Sequence, residues 1–231
     1  MATGSNQIFL FGATGFVGRN LLAALGGRGY AVTCLVRNDE GAEAVRKLGG
    51  KAVIGDVLEP ETYRQAVQPG STIVYLIHAM GRQRERGDFS ALDRRAAAAM
   101  LGACRSAGAE RIIHLSGLLD PAERLSRHLS SRAEVCRIIR QSGIAFTIIR
   151  SSIIFGSGSA SYEILKAALC FPVVPLPPWR QTRVQPIALG DIVRCLVRAV
   201  ERPELKNRTL DIGGPEIYTY AELLQACSRS L

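Results

Sequence analysis

Three glycines recur every third residue in the stretch LFGATGFVGRN: Gly12, Gly15 and Gly18. They follow the apolar run Ile8 to Phe11 and precede the helix-like run Phe16 to Leu25. The chemistry such a loop serves is phosphate binding. The chain must turn sharply from strand to helix, the backbone must come close to an anion, and the helix must pack tightly on the strand. A helix N-terminus offers unsatisfied N–H groups and partial positive charge to that anion. Thr14, Phe16 and Val17 lie between the glycines and share the expected contact surface. No Gly-Lys-Ser/Thr follows, which excludes the loop of nucleotide hydrolases and leaves a dinucleotide as the expected ligand.

A second position refines the ligand. The second apolar run ends in Arg37 and Asn38. Folds that select NAD usually carry an acid there for the ribose 2′-hydroxyl. Arg37 instead suits a 2′-phosphate, through a forked, charge-assisted contact. NADP is therefore the expected cofactor and NAD the alternative.

The elements needed to hold these residues are legible as alternating short apolar runs and longer helical patterns. Strands are expected at 7–11, 30–36, 51–54, 72–77, 111–115, 145–150 and near 208–212. Helices are expected at 16–26, 40–48, 60–67, 88–107, 122–142, 161–169, 188–201 and 219–229. Strand–helix alternation with buried-looking strands indicates an α/β fold with a doubly wound parallel sheet. The texture changes after residue 150. SSIIFGSGSAS is loop-like and FPVVPLPPWRQTRVQP is proline-rich, so it forms no regular helix. The expected organisation is a dinucleotide-binding core over 1–155 and a small irregular substrate-side segment over 156–231, packed on the same core. Tyr162, Trp179, Arg180 and Arg183 are expected to roof the cleft from 156–185. Thr219 and Glu222 have capping-box spacing at the start of the last helix.

The chain has 231 residues, 47% of them hydrophobic, enough for one sizeable core. Apolar runs are too short to cross a membrane; the longest, 144–155, is interrupted by Arg150. Residues 1–7 carry no basic side chain and 8–11 is strand-sized, so no signal peptide and a cytoplasmic location are expected. Six cysteines without a CxxC pair read as reduced core thiols, with no disulfide framework and no metal site. The net charge of +9 raises nucleic acid as a partner, but the basic residues are dispersed and aromatics are only 6%, so a small-molecule substrate is expected instead. Two basic clusters, GRQRERG at 81–87 and the arginines between 124 and 140, read as solvated surface or as a pocket for a phosphorylated ligand. Oligomeric state has no sequence signal.

With GATGFVGRNL, VTCLVRN, VIGDV, IIHLSGL, SGIAFTIIRSSIIFG, QPIALGDIV and LDIGGPEIYTYAELL, the chain resembles the short-chain dehydrogenase/reductase superfamily across nearly its whole length. It is most similar to the atypical branch with NmrA-like proteins and complex I accessory-subunit relatives. The resemblance implies a Rossmann fold. It also implies that Asp56 and Val57 lie against the adenine, and that His78, Ala79 and Met80 line the ribose and pyrophosphate. The superfamily's catalytic set is a Ser after the fifth strand and Tyr-xxx-Lys on the next helix. Ser116 matches the first; the Tyr-xxx-Lys spacing falls on His128 and Arg132, both of different type. Histidine has an intrinsic pKa of about 6.5 and suits proton transfer. Arg132 can reach ribose hydroxyls but not lose a proton. The literal Tyr162–Lys166 pair falls after the sixth strand, outside the catalytic helix. The implied function is an NADP(H)-dependent oxidoreductase on a small carbonyl, alcohol or quinone-like substrate. The alternative is a redox sensor or assembly factor that holds NADP(H) without turnover. Sugar-nucleotide epimerases, a third class, normally keep the Tyr and Lys.

Overall fold

The computed structural model describes residues 7–78, 89–118, 126–169 and 180–229. In chain order the first half is β1 (Gln7–Phe11), α1 (Phe16–Gly26), β2 (Ala31–Val36), α2 (Asp39–Lys47), β3 (Lys51–Ile54), β4 (Thr72–Tyr75), α3 (Phe89–Ser106) and β5 (Arg111–Gly117). Then come α4 (Arg127–Arg140), β6 (Ala145–Ser151), β7 (Ile154–Phe155), α5 (Ala160–Leu169), β8 (Arg183–Val184), β9 (Ile187–Ala188), α6 (Leu189–Glu201), β10 (Arg208–Ile212), β11 (Tyr218–Thr219) and α7 (Tyr220–Ser228).

Seven strands make one sheet in the order β10-β6-β5-β4-β1-β2-β3, with every pairing parallel. Strands buried on both faces must be apolar throughout, and Ile8, Phe9, Leu10 and Phe11 are all buried. One face packs Leu21, Leu22 and Leu25 of α1 against Ile192, Leu196 and Val200 of α6. The other packs Met100 and Cys104 of α3 and Val135 and Ile139 of α4 on Ile73, Ile112 and Ile148. Each fully buried leucine contributes about 1.5–3 kcal/mol of transfer free energy. The chain departs in opposite directions from β1 and β4, which are neighbours. A crevice therefore opens at their carboxyl ends, where such sheets take their ligands.

Three expectations are corrected. Residues 60–67 form two 3₁₀ turns, Pro60–Thr62 and Arg64–Ala66, rather than a helix. Tyr63 between them is buried, and its hydroxyl donates to the Val57 carbonyl at 3.1 Å, so the segment folds inward before a helix can propagate. The fifth strand runs on to Gly117, which places Ser116 inside it. The described part of the fourth helix begins at Arg127, capped by Ser126 (Leu129 N–H to Oγ, 3.2 Å); 122–125 lie outside the described residues.

The C-terminal segment is tied to the core: β10 pairs with β6, and β7 with β9. The short pair β8–β11 leads into α7, whose Thr219–Glu222 capping box forms. Cys34, Cys104 and Cys136 are buried and Cys195 and Cys227 half-buried, all as free thiols; Cys170 lies outside the described residues. The GRQRERG stretch does too. Arg127, Arg137 and Arg140 are exposed on α4, whereas Arg132 turns inward. Among the described residues no helix is long and apolar enough to cross a membrane.

Candidate functional site: a glycine-lined dinucleotide cleft

The three glycines have three separable jobs. Gly12 ends β1 at φ +91°, a conformation open to glycine at little cost. The Gly15 N–H closes the turn on the Gly12 carbonyl at 3.1 Å. Gly15 then N-caps α1, which has no side-chain cap and no acid in its first turn, so its amides and positive dipole end face the loop. A Cβ on Gly18 would sit 2.0 Å from the Gly12 oxygen, so only glycine lets the helix lie this close. Phe16 reaches across to Gly156, its Cζ 3.1 Å from where a Cβ would be, and Val17 joins the core.

Beside this loop is a cleft of about 380 Å³. Gly12, Thr14 and Gly15 form one wall. The ends of β2 and β3 supply Arg37 and Asp56–Val57, the end of β4 supplies Ile77 and His78, and α3 adds Leu92, Asp93 and Ala96. Arg37 is exposed at the rim, while its neighbour Asn38 is committed to capping α2 (Gly41 N–H to Oδ1, 3.0 Å). The Asp56 carboxylate accepts the Leu58 N–H at 2.9 Å, an Asx turn that shapes the loop it shares with Val57. Of the expected cofactor contacts, Gly12, Thr14, Gly15, Arg37, Asp56, Val57 and His78 border this cavity; Phe16, Val17, Gly18 and Arg132 do not, and Ala79 and Met80 lie outside the described residues. The donors present suit an anionic dinucleotide: a cradle that a Cβ would fill, an uncapped helix start and a rim cation.

The residues expected to do chemistry lie deeper. Ser116 is 1% exposed, and its Oγ is enclosed under α4. On α4, Arg132 Nε donates to His128 Nε2 at 3.1 Å. Arginine only donates, so His128 is neutral and carries its proton on Nδ1. Burial, and then the Arg132 charge, push the His128 imidazole below its usual range, with Asp93 opposing. The Arg132 stem lies over the end of β5: a Cβ on Gly117 would be 3.2 Å from its Cδ. The His78 and His128 rings meet edge to face, centroids 6.4 Å apart. Ser116, His128 and Arg132 do not border the 380 Å³ cleft; His78 and Asp93 do, and join the two regions.

Sequence reasoning missed Asp93. It is 6% exposed and accepts from Ser131 Oγ at 2.8 Å. The signal was its spacing: it precedes the buried Ala96, Ala97 and Met100 by three, four and seven residues, which puts it on the inner face of α3. The Tyr162–Lys166 pair lies on α5, with Tyr162 N–H bonded to Ser159 Oγ at 3.1 Å, far along the chain from β5. Arg180 and Arg183 are exposed, and Trp179 lies outside the described residues. None of the described residues of 156–185 borders the cleft.

Residues 12–171 match a family described as NAD(P)H-binding. The chain is 28% identical over 221 residues to the mitochondrial NADH dehydrogenase [ubiquinone] 1 alpha subcomplex subunit 9 of Dictyostelium discoideum, covering 93% of this chain and 61% of that one. It is 25% identical over 233 residues to the photosystem II assembly factor Ycf39 of Trieres chinensis, covering 96% and 68%. The chain therefore spans about two thirds or less of these relatives. The fold matches a Citrobacter sp. triphenylmethane reductase complexed with NADP(H), at a TM-score of 0.78 and 19% identity over 97% of this chain and 76% of that one. This chain belongs to the NAD(P)H-binding family of Rossmann domains, with homologues in the atypical short-chain dehydrogenase/reductase group.

Proposed function

We propose that this protein binds NADP(H) and works as a reductase on a small, electrophilic carbonyl compound, with quinone-like acceptors the best fit. The observation that carries the cofactor choice is Arg37, a cation and not an acid, at the tip of β2 on the rim of the cleft. Bound in its reduced form, the dinucleotide supplies a hydride. The chain's own residues offer hydrogen-bond donation and positive charge. His128 has its Nδ1–H to give to an oxygen on which negative charge gathers, and Arg132 holds the imidazole in that tautomer through Nε. A neutral imidazole is a weak acid, so the proton that completes the product comes from water. That suits an acceptor whose reduced oxyanion is stable in its own right, as a quinol's is, better than a simple aldehyde.

A second reading, NADP(H) held without turnover, is favoured by one observation: the only hydroxyl expected at the chemistry, Ser116, is enclosed. An assembly factor and a subunit of a large complex among the relatives support it. NADPH oxidation, followed at saturating cofactor with a benzoquinone and with an aldehyde of similar size, separates the readings. The reductase reading expects the quinone to be reduced faster. It also expects His128→Ala to cut turnover by about 10²-fold, as loss of one oxyanion donor does, and Tyr162→Phe to leave it unchanged. Firm NADPH binding with no oxidation by either acceptor gives the second reading the lead.

A further inference from the structure

Tyr75 of β4 and His114 of β5 are opposite one another in the parallel ladder, and Ser116 follows two residues along β5, on the same face. All three are buried, at 0%, 3% and 1% exposure. The two rings lie 5.5 Å apart and tilted by 35°. His114 Nδ1 is 2.9 Å from the Tyr75 carbonyl oxygen. A carbonyl only accepts, so Nδ1 carries the proton and Nε2 is left with a lone pair. That Nε2, the Tyr75 hydroxyl and the Ser116 hydroxyl are each sealed from bulk solvent without a hydrogen-bond partner among the described residues. The Cys136 thiol lies close enough to Ser116 to feel its hydroxyl, but no hydrogen bond of ordinary geometry joins them.

Isolated orphans of this kind are rare, because each forfeits a hydrogen bond it made with water in the unfolded chain. Three on one patch of one sheet face, under α3 and α4, would take a large share of a marginal stability. The fourth such atom among the described residues, Ser71 Oγ, lies at the opposite end of β4 and belongs to no cluster. The three are also chemically complementary: a phenol that donates, an imidazole nitrogen that accepts and an alcohol that does either. Water, with two protons and two lone pairs per molecule, satisfies such a set.

We propose that Tyr75, His114 and Ser116 form a buried water-binding site on the sheet face beneath α3 and α4, behind the Arg132–His128 pair. Ser116 then helps to hold that water within the fold. Its hydroxyl braces the end of β5, from which Gly117 carries the Arg132 stem, and it does not touch substrate. The inference rests on the burial and chemistry of these three groups and not on the reductase reading.

Opposite signs test it. Removing a hydroxyl that is truly unpaired relieves a desolvation cost and raises the melting temperature. Removing one that is bridged by water lowers it, here by about 2–6 °C. Tyr75→Phe and Ser116→Ala are each expected to melt lower. Tyr75→Phe should keep its NADPH affinity within about twofold by calorimetry. A crystal structure of the whole chain should show solvent density within hydrogen-bonding distance of Tyr75 Oη and His114 Nε2. A higher melting temperature for Tyr75→Phe, or a dry contact between the three groups, overturns the proposal. So does a tenfold loss of NADPH affinity in Tyr75→Phe. Should one variant fail to fold, the other and the density decide.

Discussion

Gly18 gives the sharpest prediction, because its environment leaves a side chain nowhere to go. A Cβ there would be 2.0 Å from the Gly12 oxygen, 2.8 Å from the Gly12 carbonyl carbon and 2.9 Å from Ala13 Cα. All three are backbone atoms, so no rotamer change relieves the contact. Restoring even a 3.0 Å separation from the oxygen moves α1 or the loop by about 1 Å. Such a shift strains the packing of Leu21, Leu22 and Leu25, which are essentially unexposed. Overpacking of this kind costs about 1–3 kcal/mol. For a chain of this size that corresponds to a melting temperature lower by roughly 2–12 °C. The amides of the loop also turn away from the phosphate. That forfeits charge-assisted hydrogen bonding of about 1.5–3 kcal/mol, or tenfold and more in affinity. Gly15→Ala is the control. Its Cβ would meet one oxygen at 3.3 Å, and its φ of −73° suits any residue. That variant should melt within about 3 °C of the parent and still lose NADPH affinity, since its Cβ stands where the anion approaches. Calorimetric titration and thermal denaturation of both variants measure the two effects apart. If Gly18→Ala melts and binds like the parent, close packing at Gly18 does not shape the loop.

Arg37→Ala should weaken NADPH binding by about tenfold and leave NADH within about twofold; the low end of the charge-assisted range applies because Arg37 is exposed at the rim. Equal affinity of the parent for both cofactors would contradict the assignment. Stability should fall as the pH drops from about 6.5 to about 4. Burial pushes the His114 imidazole down to about 4, while the unfolded chain takes up that proton near 6.5, so acid favours unfolding across this window. Urea denaturation at pH 7, 5.5 and 4.5 should show a shallower loss for His114→Gln than for the parent; identical slopes would mean that His114 does not govern the acid response.

The legible parts of the molecule are those where one residue's own backbone or neighbours decide the outcome. Gly12, Gly15 and Gly18 state their geometry by lacking a side chain. Thr219 and Glu222 cap a helix they themselves begin. The buried strands announce themselves as apolar runs. Legibility fails where tertiary context decides. Tyr63 and Val67 have helical spacing, yet the tyrosine is drawn inward to the Val57 carbonyl and the segment breaks into two short turns. The β7–β9 and β8–β11 pairs have two residues per strand, too few to show a period. Ser116 fails by a strand end: ending β5 at 115 leaves it at the open edge, whereas ending it at 117 turns it onto the face under α4.

The two halves of the site differ in what fixes them, and the difference bears on function. The binding half is set by backbone: a positive φ at Gly12, an uncapped helix start and a contact at Gly18 that excludes any side chain. Such features specify a phosphate-sized anion and little about what is reduced. The half expected to react is set by side chains that lean on one another. Arg132 lies across Gly117, where a Cβ would come within 3.0 Å of Leu129 Cδ2 and 3.2 Å of Arg132 Cδ, and its Nε fixes the His128 tautomer. Asp93 of α3 accepts from Ser131, which lies on α4 beside the pair. The pair at 128 and 132 therefore offers different donors from a Tyr and Lys. The smaller imidazole leaves Nδ1–H as its sole donor, and the longer guanidinium spends Nε on that imidazole rather than on the cofactor. On the reductase reading, a site arranged this way stabilises negative charge without delivering a proton, which favours acceptors that tolerate reduction before protonation.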